Sequence, residues 1–293
     1  MMKRRIFVII VPITVTVVFA ISLSVGDAMF TRQIEADIER LFAVSKNISD
    51  TVFTYKQISG LPEPVQRYFR YSIGEEGKQY LSYVKLKHDG AFRQNEGQEW
   101  MNIEGREYFT TERPGFVWTG KISPFPLLWL TGIDTYIEGK ANFQIKLLSL
   151  VSIADERNSK ELDESELQRW LAEAPWFPTA LLPNKNLHWE EIDRSSARAV
   201  VKDDSNGLAI TAAAVFYFNE KGEIVKVIAD RYRSVDNNTY SKQKWLGYYR
   251  DYKNISSMMI PNEIEVAWHS NFSDFSYAKF RITEISYDDG SKY

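Results

Sequence analysis

The chain has 293 residues, a formal net charge of -3 and no cysteine. Its length suits one large domain or two small ones, and the lack of cysteine excludes disulfides, thiol nucleophiles and thiolate metal sites. The mildly acidic balance argues against a nucleic-acid partner, which requires a basic face. A hydrophobic content of 44% and an aromatic content of 14% exclude a disordered chain.

The N-terminus has the strongest pattern. Residues 6–25 are uncharged and mainly apolar, and Lys3, Arg4 and Arg5 precede them. A helix of this length spans about 30 Å, the thickness of the hydrocarbon core of a bilayer, and basic residues before it keep the N-terminus cytoplasmic. We therefore predict a single-pass cell-membrane protein with a cytoplasmic stub at residues 1–5. A cleaved signal peptide is the alternative, although its apolar core is usually about 7–15 residues long.

The remaining chain is predicted to lie outside the cytoplasm. Residues 26–57 are interpreted as a helical stalk or linker, because Phe30, Ile34 and Ile38 recur at helical spacing. Residues 58–290 are interpreted as a single β-rich domain.

Alternating apolar and polar residues beyond Tyr80 indicate half-buried antiparallel strands. The clearest alternations are around residues 84–93, 140–147 and 263–268, and Asn219–Gly222 has the composition of a hairpin turn. Further strands are predicted at 106–112, 115–122, 197–202, 209–218, 223–233, 243–252 and 277–287.

One amphipathic helix is predicted between two sets of strands. Asp163 is the expected N-cap, Glu166 would complete a capping box, and Pro175 would end the helix. The fold class that fits is α+β and mainly antiparallel β. We expect one large curved sheet or incomplete barrel, one or two covering helices and the N-terminal transmembrane helix.

Three segments are candidates for binding. The first is the end of the predicted helix, where Glu173 precedes Trp176 and Phe177 in a proline-rich apolar corner. A carboxylate beside aromatic rings could have a raised pKa and act as an acid or base. The alternative is that Glu173 is exposed or caps a backbone amide while the aromatic rings fill the core.

The second candidate is the segment that contains Asp230, Arg231 and Arg233. In a strand, both arginines would point toward the apolar side, together with Val225 and Val227. Burying a charge costs several kcal/mol, so each arginine needs either a carboxylate partner or an anionic ligand.

The third candidate comprises two apolar runs, which contain Trp118 and Trp129. Such runs mark a ligand or membrane contact when they are exposed, and they form part of the core when they are not. The three histidines are too far apart in sequence to form a local zinc motif, so we predict no metal and no cofactor.

Four of these stretches also carry a family resemblance: Leu61–Tyr68, Pro114–Trp118, Trp176–Pro183 and Asp230–Arg233. In this order they resemble a family of uncharacterised prokaryotic proteins, a domain of unknown function that often follows a membrane helix. The order of strands and helix also resembles the half-barrels of periplasmic lipoprotein carriers. The family resemblance implies no established activity, and a shared fold does not by itself imply a shared function.

These patterns together predict a membrane-anchored extracytoplasmic protein that binds a lipid-like or other amphipathic ligand in a cavity of the curved sheet. The expected ligand-binding residues are Arg231, Arg233, Asp230, Glu173, Trp176, Phe177, Trp118 and Trp129. One alternative is an envelope hydrolase that acts through Glu173, Asp230 or His88. The other is a structural protein-interaction domain.

Overall fold

The computed structural model of the chain describes residues 2–236, 239–269 and 273–291. The helices in these ranges are α1 (Met2–Ala43), α2 (Tyr55–Ile58), α3 (Glu63–Ser72) and α4 (Lys160–Glu173), and two short 3-10 helices follow α4. The first six strands are β1 (Tyr83–Phe92), β2 (Met101–Thr110), β3 (Gly115–Phe125), β4 (Leu128–Ile137), β5 (Lys140–Leu147) and β6 (Val151–Arg157). After α4 come β7 (Leu187–Asp193), β8 (Ser196–Asp203), β9 (Ile210–Phe218), β10 (Ile224–Asp236), β11 (Thr239–Ile255), β12 (Met258–His269) and β13 (Asp274–Tyr287).

These strands form one large, open, curved antiparallel sheet in the order β6-β5-β4-β3-β2-β1-β13-β12-β11-β10-β9-β8-β7. Each half is a meander of sequential neighbours, and the pairing of β1 with β13 joins the halves. Helix α4 connects the two edge strands and contacts β4 and β5 in one half and β9 and β10 in the other. The predicted fold class is therefore confirmed.

The main hydrophobic core lies on the sheet face that α3 and α4 cover, which we call the inner face. Phe109 and Phe116 of the first half and Phe216 of the second half belong to this core, together with Tyr68 of α3 and Trp170 of α4. All five side chains are buried. Because both halves contribute to one core, α4 fills the space between them.

Helix α1 packs against the opposite, outer face. Ile38 and Leu41 of α1 form a second buried cluster with Tyr108, Val117 and Ile137. Tyr108 and Val117 are sequence neighbours of inner-core phenylalanines, and successive strand residues point to opposite faces. The C-terminal part of α1 is thus docked on β2, β3 and β4.

The stretch of α1 from Ile13 to Val25 is apolar and largely exposed. From Ile13 onward, α1 is long and apolar enough to cross a membrane, and 11% of its most apolar window is buried. A signal sequence near an N-terminus has the same features.

The predicted start of α4 was wrong. The N-cap is Ser159, whose Oγ accepts a hydrogen bond from the Leu162 backbone N–H. Asp163 lies inside the helix, where its carboxylate accepts hydrogen bonds from the Ala141 backbone N–H at 2.7 Å and from Lys140 Nζ at 2.9 Å. The Asp163 carboxylate therefore binds groups that are distant in sequence, whereas the local capping rule predicted that it would accept a hydrogen bond at the start of the helix.

The prediction that Val225 points to the apolar side of its strand, like Val227, was also wrong. A bulge between Ile224 and Lys226 shifts the register of β10 against β9, so Ile224 and Val227 are buried whereas Val225 is only half-buried. Bulges change which side chains face the core, and alternation alone does not reveal them. The predicted turn at Asn219–Gly222 is confirmed, because the Asn219 and Gly222 amides close it through backbone hydrogen bonds.

Candidate functional site

The predicted site residues lie on both faces of the sheet. Trp118, Glu173 and Arg231 lie on the inner face, where each contacts a residue of α4 or belongs to it. Asp230 is exposed and pairs with Lys244 at 3.1 Å, so it points away from its neighbour Arg231. Trp129 also lies on the outer face, beside α1.

Two further predicted residues belong to the core. Trp176 and Phe177 are buried at the two 3-10 helices after α4, and the Phe177 ring lies 4.7 Å from the ring of Phe109. The apolar corner that they form is filled by protein.

The centre of the inner face is Arg169 of α4, which sequence analysis missed. Its guanidinium contacts Glu173 Oε1 through Nε at 2.9 Å, Asp134 Oδ2 through Nη1 at 2.6 Å and Glu107 Oε1 through Nη2 at 2.8 Å. It also lies over the Trp118 ring, at 5.4 Å from the ring centre. We call these five residues the Arg169 cluster.

The backbone explains this convergence. Glu107, Trp118 and Asp134 stand opposite one another on β2, β3 and β4, so their side chains form one row across the sheet. Arg169 and Glu173 are four residues apart on α4, which places them on the same helix face. The row and the helix face meet where α4 crosses the sheet.

A second ion pair continues the cluster toward the other half of the sheet. Arg231 Nη2 lies 2.8 Å from Glu166 Oε1, and both side chains are buried. Of the two partners predicted for an inward-pointing arginine, the structure provides the carboxylate. Arg233 lies over Trp268, at 5.3 Å from the ring centre, and Gln243 Oε1 is 3.5 Å from its Nη1. Within the described ranges, no carboxylate contacts Arg233.

The buried groups hold more carboxylates than cations. Burial raises the pKa values of Glu107 and Asp134 well above the ordinary range, with neighbouring carboxylates adding to the effect and Arg169 opposing it. Burial also raises the pKa of Glu173. Asp134 Oδ1 and Glu173 Oε2 are buried without a hydrogen-bond partner among the described residues. The cluster therefore favours retention of a proton on its carboxylates.

His88 adjoins this cluster as a neutral side chain. Its Nε2 accepts a hydrogen bond from Trp118 Nε1 at 2.8 Å. Burial, and secondarily the charge of Arg169, lowers the pKa of His88 to about 3. A hydrolase that acts through Glu173, Asp230 or His88 needs two of these groups within hydrogen-bond reach in one cleft. The structure instead gives each of the three a different partner: Arg169, Lys244 and Trp118.

A groove lies on the outer face, between α1 and strands β1–β4. This groove has a volume of about 610 Å³. Phe30, Ile34 and Ile38 of α1 line one wall together with Asp27 and Glu35. The strand wall carries three cations, the carboxylates of Asp89 and Glu104, and several uncharged polar groups. The cations of the strand wall are Lys87, Arg106 and Lys121. The sequence patterns assigned these α1 residues to a stalk. They did not single out the three cations as binding residues, because each is an ordinary polar residue on a strand in which apolar and polar side chains alternate.

Residues 59–287 match a family of unknown function, DUF6920. The chain belongs to this family. The predicted family resemblance is thus confirmed, and no curated relative matches this DUF6920 chain.

Among solved structures, the DUF6920 chain is similar to a LolA superfamily protein from Nitrosomonas europaea, at 9% identity and a TM-score of 0.40, over 76% of this chain and 91% of that one. It is also similar to a domain from Vibrio parahaemolyticus described as an outer membrane lipoprotein-sorting protein, at 9% identity and a TM-score of 0.40, over 72% and 87%.

In the part of the chain that the structure describes, no three histidine, aspartate or glutamate side chains are grouped so that they could hold a metal ion.

Proposed function

We propose that this DUF6920 protein is anchored in the cell membrane by α1 and binds an amphipathic, anionic ligand from that membrane in the groove between α1 and the outer face. The observation that carries the proposal is the groove itself, in which the apolar Phe30, Ile34 and Ile38 of α1 face three cations on the strand wall. Four carboxylates also line the groove: Asp27 and Glu35 on α1, and Asp89 and Glu104 on the strands. An acyl chain would lie along the helix wall, and its headgroup would contact the strand wall.

The charges of the strand wall support an anionic headgroup. Lys87 and Arg106 stand directly opposite each other on β1 and β2, and like charges in such positions are destabilising. Lys87 also pairs with Glu284 at 2.7 Å, and the acidic Asp89 nearby is paired with Arg281. Glu104 stands opposite Lys121 on β2 and β3, so Arg106 is the cation of the wall with no carboxylate directly opposite it on β1 or β3. An anion bound beside Arg106 would relieve the repulsion, and a charge-assisted hydrogen bond to it would be about twice as strong as a neutral one.

The position of the groove supports a ligand that comes from the membrane. Asp27 and Phe30 line the groove, and they follow the apolar residues of α1 within about one and a half helical turns. Because α1 continues without interruption from Met2 to Ala43 and docks on the sheet at Ile38 and Leu41, the groove is held next to the point where the helix would leave the bilayer.

The test uses the full chain in phosphatidylcholine nanodiscs that contain a photoreactive phosphatidic acid. We expect crosslinks to map to the groove, at Ile34 or Thr119. A double variant, Arg106→Gln with Lys121→Gln, should weaken crosslinking about tenfold if it removes one contact of about 1.4 kcal/mol. The matched control is Arg198→Gln, because Arg198 of β8 is also an exposed strand arginine and is paired with Glu190 of β7.

Crosslinking that is unchanged in the double variant would contradict the proposed headgroup contact. Crosslinks confined to the apolar N-terminal part of α1, with none on the strand wall, would contradict the proposed site while leaving the anchor intact.

A further inference from the structure

Two neighbouring turns at one end of the sheet expose large apolar side chains. The β3–β4 turn exposes Phe125 and Leu127, with exposed fractions of 68% and 92%. The segment between β5 and β6 and the start of β6 expose Leu150, Val151 and Ile153. Both turns lie at the same end, because Leu130 of β4 pairs with Ile122 of β3 and with Leu147 of β5. We call these five exposed side chains the apolar rim.

The backbone of the rim is unfavourable for the residues that occupy it. Leu127 has a φ of 66° and Leu148 a φ of 54°, a conformation that costs most non-glycine residues about 1–2 kcal/mol. Glycine, asparagine and aspartate are the usual residues at such positions. A leucine that is both strained and 92% exposed contributes nothing to the core, so its apolar surface needs another explanation.

The rim lies beside α1 where its apolar stretch ends. Gly26 leaves room for the Leu150 side chain against the helix. One residue further, Asp27 Oδ1 lies 3.4 Å from Ser149 Oγ, and Lys146 Nζ lies over the Phe30 ring, at 5.2 Å from its centre. The helix rises 1.5 Å per residue, so these contacts fall within about 8 Å of Val25.

The side chains behind the rim are those that favour a membrane–water interface. Trp129 follows the β3–β4 turn, and its Nε1 donates a hydrogen bond to Ser149 Oγ at 3.3 Å. Lys121 lies over the Trp129 ring, at 5.0 Å from its centre. Tryptophan concentrates at the headgroup level of bilayers, and lysine is attracted by anionic lipids. The exposed apolar side chains of the rim come first, followed by the indole of Trp129 and then by the lysines. A bilayer has the matching order, with acyl chains inside and headgroups at its surface.

We infer that the apolar rim inserts into the surface of the same bilayer that α1 crosses. The domain is then held at two points, the anchor helix and the rim, and the groove of the proposed function opens next to lipid. This inference rests on the proposed membrane anchor.

The experiment exploits the absence of cysteine, since any introduced cysteine is a unique labelling site. Full-length Leu127→Cys and Val151→Cys variants are labelled with an environment-sensitive fluorophore in nanodiscs of phosphatidylcholine and phosphatidylglycerol. The substitutions are at exposed positions, so the fold should not be affected. We expect blue-shifted emission and at least twofold quenching by brominated acyl chains.

The matched control is Leu208→Cys. Leu208 is also a highly exposed leucine, at 65%. It lies at the other end of the sheet, because the neighbouring Asn206 donates a hydrogen bond to the Gly139 carbonyl oxygen at the β4–β5 turn. A strand of ten residues separates that turn from the rim, a distance of about 30 Å. This label should show neither the blue shift nor the quenching.

A fourth variant, Val15→Cys, tests the anchor separately, because Val15 lies in the apolar part of α1. If its label is quenched while the rim labels behave like the Leu208→Cys label, the rim inference is overturned and the anchor stands. If the Val15→Cys label is itself unquenched, the anchor fails, and the rim inference fails with it.

Discussion

Removal of the Arg169 charge should destabilise the fold strongly. Arg169→Met keeps an unbranched apolar side chain between the Phe116 and Trp118 rings, which the guanidinium now contacts, but it removes the cation that three carboxylates share. The side chains of Glu107, Asp134 and Glu173 are 2%, 8% and 12% exposed. Breaking one buried ion pair in this way costs about 3–5 kcal/mol. We expect a loss of this size in the free energy of unfolding near pH 8.

The loss should depend on pH. Burial already raises the pKa values of these carboxyl groups, and the variant removes the charge that lowers them. A group whose pKa is raised in the folded state contributes stability below its unfolded pKa and loses that contribution as pH rises through the folded value. The difference between wild type and variant should therefore be smaller near pH 5 than near pH 8. Its slope can reach about 1.4 kcal/mol per pH unit for each proton taken up.

The assay is urea unfolding of the full chain in detergent, followed by tryptophan fluorescence, with the midpoint and slope compared at both pH values. The control is Arg250→Met, because Arg250 is 56% exposed and forms one surface pair with Glu265, a contact worth at most about 1 kcal/mol. If Arg169→Met costs no more than this control, or if its cost does not change with pH, the ionic interpretation of the cluster is wrong.

Three other predictions concern single contacts. The imidazole of His88 should stay neutral down to about pH 4, because its pKa is lowered to about 3. The nitrogen chemical shifts of this ring in an NMR titration measure its protonation, and protonation near pH 6.5 would contradict the burial of His88. Asp163→Ala should cost about 2–3 kcal/mol, because it leaves the buried Ala141 N–H without its partner, whereas Ser159→Ala should cost about 1 kcal/mol as the loss of a helix cap. Denaturation midpoints compare the two variants, and a smaller loss for Asp163→Ala than for Ser159→Ala would contradict the importance of the Asp163–Ala141 contact. Gly222→Ala should lower thermal stability, because Gly222 has a φ of 95° and a Cβ there would lie 2.7 Å from the Arg67 carbonyl oxygen; an unchanged melting temperature would refute this.

The sequence by itself determined the local elements of this fold. Alternation around Val84–Phe92 and 140–147 predicts the strands that the structure contains, because an antiparallel strand with one buried face repeats every two residues. The strands Leu128–Ile137, Val151–Arg157 and Leu187–Asp193 were not predicted. The first contains the apolar Trp129 region, where periodicity alone does not separate a strand from a core segment.

Only the tertiary structure decided which residues meet. The partners of Arg169 on the sheet lie 62 and 35 residues away in sequence, and a lone arginine on an amphipathic helix has no feature that distinguishes it from a solvated one. The rim and the groove depend in the same way on where α1 docks, since Gly26 and Leu150 are brought together by packing. Periodicity is a local consequence of backbone geometry, so a short stretch of sequence reveals it. Ion pairs and surfaces instead depend on the register of the strands and on the path of the chain between them. A short stretch of sequence determines neither the register nor the path.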